Sequence, residues 1–205
     1  MSQYLEKSKK YKGYHYSVLP IESLQYLHDR TFEMFCKIKE QLESANIRYM
    51  VCGGTLLGAV KQRDFIPWDD DFDICVFDED YDKAVSLLVN TLPGDILVQC
   101  PVTEPNYFHG WTKVRDVNSC VYPKIDGYKN NGVWVDLYRL KKIKQSEIDL
   151  EILREHLSYL KRRVNVGDIT RNEMRKRIKE NHLYGKIIRA FIFSLLNLFR
   201  KQKKP

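Results

Sequence analysis

The sequence predicts an α/β (α+β) protein in which a mixed sheet is flanked by helices and followed by a basic helical C-terminal tail. Short, β-leaning apolar runs alternate with segments of helical periodicity through the first 140 residues. From residue 145 onward the pattern is helical. From residue 139 onward basic residues outnumber acidic ones by 19 to 7, whereas acidic residues lead by 20 to 15 before residue 139. A chain of 205 residues, 43% of them hydrophobic, can form one packed domain with an appendage.

The elements follow in order. Apolar side chains at helical spacing behind Pro20 predict a first helix over residues 20–42. The apolar segment 47–52 predicts a buried strand, which Gly53–Gly54 ends before a helix at 55–60. Segment 78–90 predicts a helix between two strands, and the predicted strands beyond the first are 72–77, 96–99, 111–115, 119–122 and 132–140.

This order predicts three regions. Residues 1–19 form an N-terminal extension, residues 20–145 a catalytic core, and residues 146–205 a basic helical region that ends in an amphipathic helix at about 183–200. That last helix has basic residues at both ends and an apolar part too short to span a bilayer, so it suits an anionic membrane surface. The alternative is a helix packed on the protein's own core or on a partner subunit.

The composition argues against several protein classes. No apolar run reaches the roughly 18 residues of a membrane-spanning helix, and the N-terminus lacks the apolar core of a signal peptide. The five cysteines include no CxxC pair, which argues against a disulfide scaffold and against a Cys-rich zinc site. We therefore expect a reducing, cytoplasmic compartment.

Three acidic residues point to a metal site. Asp71 and Asp73 lie two positions apart at the start of a predicted strand, so both face the same side of the sheet. Asp136 is a lone acid in the apolar strand 132–140. Neighbouring carboxylates repel each other unless a cation lies between them, and oxygen ligands favour Mg²⁺ or Mn²⁺. The alternative for Asp136 is a turn cap or an ion pair with an arginine.

Glycines and cations surround this acidic pattern. Gly53–Gly54 ends a strand and opens a helix, whose free N–H groups can bind phosphate, although a lone glycine pair usually marks only a turn. Lys113 and Arg115 share one face of a predicted strand with Trp111, where they suit a diphosphate; the alternative is an exposed face paired with acidic residues.

The stretch 53–74, GGTLLGAVKQRDFIPWDDDFDI, resembles the signature of the LicD family, which includes fukutin and fukutin-related protein. The family's later K-[IV]-R-D element is similar to residues 113–116, and its final strand acid to Asp136 in WVDLY. The resemblance covers about residues 30–140 and implies the nucleotidyltransferase fold of the DNA polymerase β superfamily.

The resemblance also implies a reaction. Family members transfer a phospho-alcohol, such as phosphocholine or ribitol phosphate, from a CDP-activated donor to a glycan hydroxyl. Asp71, Asp73 and Asp136 are then expected to hold Mg²⁺ (or Mn²⁺) as the catalytic centre, with Asp136 completing the metal shell or accepting the hydroxyl proton. The expected donor-phosphate contacts are Gly53, Gly54, Thr55, Lys113 and Arg115. Trp68 and Trp111 are pocket candidates: Trp111 would stack on a base or line the pocket, and the favoured alternative for Trp68 is packing within its loop.

The expected partners are a CDP-alcohol and a cell-surface or lipid-linked glycan, as in lipopolysaccharide biosynthesis, at the inner face of a membrane. The enzyme alternatives are a nucleotidyltransferase and a DxD nucleotide-sugar glycosyltransferase. The non-enzyme alternative is a protein that binds membranes or polyanions and carries a relic site. No nucleic-acid partner is expected, because the basic residues form no recognisable recognition motif.

Overall fold

The computed structural model describes residues 10–11, 14–15, 21–121, 128, 130–180 and 185. Its strands are β1 (Lys10–Tyr11), β2 (Tyr14–His15), β3 (Tyr49–Val51), β4 (Phe72–Phe77), β5 (Ile96–Gln99), β6 (Thr112–Asp116) and β7 (Trp134–Leu140). Its helices are α1 (Ile21–Ser44), α2 (Gly53–Lys61), α3 (Asp78–Thr91), α4 (Ile148–Asn165) and α5 (Arg171–Glu180), with a 3-10 turn at Gln145–Glu147.

Five strands form a mixed sheet in the order β3–β4–β7–β6–β5. β3 pairs antiparallel with β4, whereas β4 and β7 run parallel with Asp73 opposite Asp136. This confirms the predicted mixed sheet flanked by helices. Because β4 and β7 point the same way, side chains at equivalent positions of the two strands face the same side of the sheet.

The main hydrophobic core lies on the face of β4 opposite to the side chain of Asp73. Phe72, Ile74 and Val76 alternate with the acidic positions and are buried there. α1 contributes buried side chains at helical spacing to the same core, namely Leu27, Met34, Ile38 and Leu42. The apolar alternation of β4 therefore anchors the strand from one side and leaves the opposite face for polar groups.

A buried ion pair ties α1 to the end of β6. Arg30 Nη2 donates to Asp116 Oδ1 at 2.8 Å and to Asp95 Oδ2 at 2.9 Å. Asp116 is only 1% exposed, so this guanidinium neutralises a carboxylate that has almost no contact with water. Gly132 lies against the same residue, because a Cβ built on it would be 1.8 Å from the Asp116 carbonyl oxygen.

Some predicted boundaries were wrong. Residues 119–121 form no strand, since the Ser119 hydroxyl accepts the hydrogen bond of Val133 N, and Val121 N donates to Asn131 O outside any ladder. Tyr122, the last residue of that predicted strand, is outside the described part of the chain. The first sheet strand covers only 49–51 of the predicted 47–52, and α2 begins at Gly53.

The described residues divide into two compact units. The first contains the described residues up to Val98, then 113–121 and Asn130–Leu140, and so holds most of the sheet. The second contains Gln99–Thr112, Tyr128 and the described residues from Lys141, including α4 and α5. Leu160, Ile169 and Ile178 form a separate apolar core within this second unit.

The helical character predicted for the region after residue 145 is present in α4 and α5. Among the described residues, no helix combines the length and the apolar character needed to cross a membrane. The amphipathic helix predicted at about 183–200 lies outside the described residues, apart from Gly185, so its contact with a membrane surface stays a prediction.

Candidate functional site

Three carboxylates meet at the start of β4 and the adjoining part of β7. Asp71 comes directly before β4, and Asp73 lies opposite Asp136 in the parallel ladder. Each of the three offers one oxygen within 4.8 Å of the others. The structure therefore brings together the three acids that were predicted to share a cation, although they are as much as 65 positions apart in the chain.

The carboxylates destabilise one another's charged forms. Burial, followed by the charges of Asp73 and Asp136, raises the pKa of Asp71 to about 7. Burial, followed by the charges of Asp136 and Asp69, raises the pKa of Asp73 to about 6. A divalent cation at this position would neutralise this repulsion.

Asp136 is the most enclosed of the three, with 2% of its surface exposed. Lys113 Nζ donates to both of its oxygens, at 2.7 Å to Oδ1 and 2.9 Å to Oδ2. Trp134 Nε1 also donates to Oδ2 at 3.1 Å, and Tyr138 OH donates to the same oxygen at 3.4 Å. Asp136 thus has an ion pair with a lysine, where the alternatives to a metal had been a turn cap or an arginine, and its contact with a metal stays a prediction.

Lys113 and Arg115 are buried on β6. Lys113 is paired with Asp136, and burial lowers the pKa of its ammonium. Arg115 Nη1 donates to the carbonyl oxygen of Gly132, and both cations lie over the Trp134 ring, 4.3 and 5.2 Å from its centroid. The alternative of an exposed strand face paired with acidic residues is wrong in its exposure, although Lys113 does pair with an acid. Contact of these two residues with a donor diphosphate stays a prediction.

The Gly53–Gly54 turn makes room for acidic side chains. A Cβ on Gly53 would lie 2.2 Å from Asp73 Oδ2, and Gly53 has a φ of +56°, which favours glycine. A Cβ on Gly54 would lie 2.3 Å from Asp69 Oδ2, and the backbone of Gly54 donates a hydrogen bond to the Asp73 carboxylate. The turn therefore positions Asp73, whatever else it binds.

The remaining predicted residues have different surroundings. Thr55 is buried, and its Oγ1 accepts a hydrogen bond from Asp73 N at 2.8 Å, so it links α2 to β4. Trp68 is 76% exposed in the loop between α2 and β4. Trp111 belongs to the second unit, where its ring lies 4.8 Å from that of His109. The predicted pocket roles of both tryptophans stay predictions.

The residues present fit a hard divalent cation. Their donor atoms are carboxylate oxygens, which Mg²⁺ and Mn²⁺ prefer. Asp73 Oδ1 is buried and accepts no hydrogen bond from any described residue, which leaves this atom free for a ligand. Asp69, Asp70 and Asp71 form a second group of the same kind, but Asp70 is exposed and exposed acidic groups often bind no ion.

Sequence reasoning assigned no role to Trp134 and Tyr138, although both hydrogen-bond to Asp136. The sequence could have indicated these contacts, because the alternation of side chains in WVDLY places Trp134 and Tyr138 on the same face as Asp136. The role of the lysine could not be found in this way, since it depends on β6 lying next to β7.

The fold and site define an α/β protein with a three-carboxylate centre suited to a divalent cation. The family profile described as "LicD/FKTN/FKRP, nucleotidyltransferase domain" matches residues 46–171, more than half of the chain. The chain therefore belongs to the LicD family, as the motifs had indicated.

Two kinds of relative share the motif region. Lipopolysaccharide cholinephosphotransferase LicD of Haemophilus influenzae is 42% identical over 45 residues, which cover 22% of this chain and 17% of that protein. Ribitol 5-phosphate transferase FKRP of Homo sapiens is 51% identical over 46 residues, which cover 22% of this chain and 9% of that protein. The mouse protein of the same name gives the same figures. Each match thus spans less than a fifth of the relative's length.

Proposed function

We propose that this chain is a metal-dependent phosphotransferase that moves a phospho-alcohol from a CDP-activated donor to a hydroxyl of a cell-surface glycan. The observation that carries the proposal is the meeting of Asp71, Asp73 and Asp136 within 4.8 Å in a LicD-family chain. The named activities of the relatives support the reaction class, because one is a cholinephosphotransferase and the other a ribitol 5-phosphate transferase. The proposal includes the nucleotidyltransferase fold for the residues of the family match.

The reaction is a displacement at phosphorus. The acceptor oxygen forms a bond to the phosphorus that carries the alcohol, and the bond from that phosphorus to the bridging oxygen breaks. CMP leaves with the electron pair, and the proton of the acceptor hydroxyl passes to Asp136 or to water. Such a transfer needs alignment and charge neutralisation more than covalent help from the protein. Bound Mg²⁺ or Mn²⁺ would supply the charge that offsets the donor's diphosphate.

The protein's own residues divide this work. Asp71 and Asp73 would hold the cation, with Asp73 placed by the Gly53–Gly54 turn and by Thr55. Asp136 would complete the metal shell or accept the proton of the acceptor hydroxyl, and in either role its oxygens would have to share or exchange the hydrogen bonds that they accept from Lys113.

CMP release tests the proposal. The full chain is incubated with Mg²⁺ or Mn²⁺ and with CDP-choline, CDP-ribitol or CDP-glycerol, with water standing in for the glycan hydroxyl and lipopolysaccharide as an added acceptor. We expect CMP from at least one donor. We expect Asp73→Asn to release CMP at least about 100-fold more slowly than the wild type while keeping the wild-type circular dichroism spectrum.

The alternatives give different products. Pyrophosphate release from a nucleoside triphosphate would indicate a nucleotidyltransferase, and nucleoside diphosphate release from a nucleotide sugar would indicate a glycosyltransferase. Wild-type turnover by Asp73→Asn would rule out the metal site, and absence of any product would favour the relic-site alternative.

A further inference from the structure

The ammonium of Lys113 is bound to Asp136, one of the three acids of the carboxylate centre. Its Nζ is bound to both oxygens of Asp136, and the side chains of the pair are only 7% and 4% exposed. The Trp134 ring lies against the ammonium, with 4.3 Å between Nζ and the ring centroid. The positive charge is therefore held from two sides and is well shielded from water.

The carboxylates lie close enough for this charge to matter to any cation they bind. Asp71, Asp73 and Asp136 carry three negative charges when ionised, and one ammonium reduces the total to two. A divalent ion held by all three must then sit near a fixed positive charge that is in direct contact with one of its ligands. Two positive charges that contact the same carboxylate repel each other appreciably, even at the effective dielectric of a protein surface.

We propose that Lys113 is an internal counter-cation of the three-carboxylate centre, which neutralises Asp136 in the absence of metal and holds the divalent-cation affinity of the free protein low. The ammonium lowers the free-energy cost of burying Asp136 without a metal, since an unpaired buried carboxylate is strongly unfavourable. The same ammonium opposes metal binding until additional negative charge arrives.

The proposal rests on the proposed function for the source of that charge. A nucleoside diphosphate brings negative phosphate oxygens, which attract both the divalent ion and the ammonium. The metal and the donor should therefore strengthen each other's binding, so that the metal enters the centre mainly together with the donor. Lys113 is then a positioning residue that determines when the three carboxylates bind the metal.

The test measures Mn²⁺ affinity of the full chain without nucleotide, by calorimetry and by the electron paramagnetic resonance signal of free Mn²⁺. We expect Lys113→Met to bind Mn²⁺ at least about tenfold more tightly than the wild type, because a nearby positive charge is gone. Lys113→Arg keeps the charge and should stay within about threefold of the wild type. Arg115→Met is the matched control, because it removes a buried cation of the same strand whose guanidinium donates to Gly132 O.

A merely structural role for Lys113 predicts the opposite result. Lys113→Met would then bind Mn²⁺ as weakly as the wild type or more weakly, and that result would overturn the proposal. An equal increase of Mn²⁺ affinity in Arg115→Met would also overturn it, since the loss of any buried cation on β6 would then have the same effect. If Lys113→Met does not fold, Lys113→Gln retains a donor without the charge and is expected to show the same tightening.

Failure of the proposed function would look different. CDP serves as the nucleoside diphosphate probe, and we expect it to tighten Mn²⁺ binding more in the wild type than in Lys113→Met. If CDP does not bind and no CDP-alcohol is turned over, the proposed function fails, while the Mn²⁺ affinities of the variants without nucleotide still decide the role of Lys113.

Discussion

Replacement of Asp71 by asparagine should stabilise the metal-free protein. The side chain keeps its size and loses its charge, and Asp71 lies within 4.8 Å of carboxylate oxygens of Asp73 and Asp136. One pair of charges at that separation repels by about 3 kcal/mol at an effective dielectric of 20. Solvent reaches part of this site, so we discount the gain to about 1–2 kcal/mol at pH 8.

The pH dependence of this gain follows from the pKa of the carboxyl. In the folded protein the pKa of Asp71 is raised from 3.8 to about 7, so the folded state binds the proton more tightly than the unfolded chain does. Its contribution to stability is fully present below about pH 4 and is lost as the pH rises through about 7. The advantage of Asp71→Asn should therefore be largest at pH 8 and small at pH 5.

Thermal unfolding with EDTA is the assay. For a chain of this size 1–2 kcal/mol corresponds to a rise of roughly 2–8 °C in Tm at pH 8. Because the free protein is expected to bind Mn²⁺ weakly, Mn²⁺ is added in large excess over the protein. It should then raise the Tm of the wild type and leave the Tm of Asp71→Asn nearly unchanged, because a ligand has been lost. Glu40→Gln, an exposed site on α1, is the control and should change neither value. A lower Tm in Asp71→Asn at pH 8, or an unaltered Mn²⁺ response, would refute the reasoning.

Two glycines give further predictions. Gly132→Ala should lower the free energy of unfolding by about 2–4 kcal/mol in urea titrations, because its Cβ would collide with the Asp116 carbonyl oxygen. Gly94→Ala is the control, since a Cβ there meets no atom within 4 Å, and an equal loss in both would contradict the packing argument. Gly53→Ala should weaken Mn²⁺ binding at least about tenfold, because its Cβ would displace the Asp73 carboxylate at a φ that disfavours alanine. Unchanged Mn²⁺ affinity measured by calorimetry would show that the turn does not position Asp73.

The carboxylate centre was predictable in part because the alternation of side chains along a strand is a local rule. Alternation along each strand puts Asp71 with Asp73 on one face, and it separates Asp136 from its apolar neighbours. The mixed sheet itself followed from the order of apolar runs and helical segments. The parallel register that sets Asp73 opposite Asp136 was not predicted, and the family resemblance implied only that Asp136 joins the other two acids.

The partners of these residues could not be read from the sequence, since they depend on which strands become neighbours. Lys113 was expected at a donor phosphate, yet it contacts an acid 23 positions away because β6 lies beside β7. The glycine pair was interpreted as an approach for a ligand, which stays a prediction, and the sequence did not show that it also makes room for the carboxylates of Asp73 and Asp69. The predicted strand at 119–122 failed in its described part because a serine hydroxyl accepts the hydrogen bond that a strand carbonyl would take.

The salt bridge between Arg30 and Asp116 has a practical consequence for work on the family region alone. The family match begins at residue 46, so a fragment cut there would lack the helix that supplies the guanidinium. Asp116 would lose its charge partner, and the same cut would remove the α1 side chains Leu27, Met34, Ile38 and Leu42 from the main hydrophobic core. Loss of one partner of a buried ion pair costs about 3–5 kcal/mol where the remaining charge stays buried, a large share of the stability of an ordinary domain. Fragments for crystallisation or enzymology should therefore retain the first long helix.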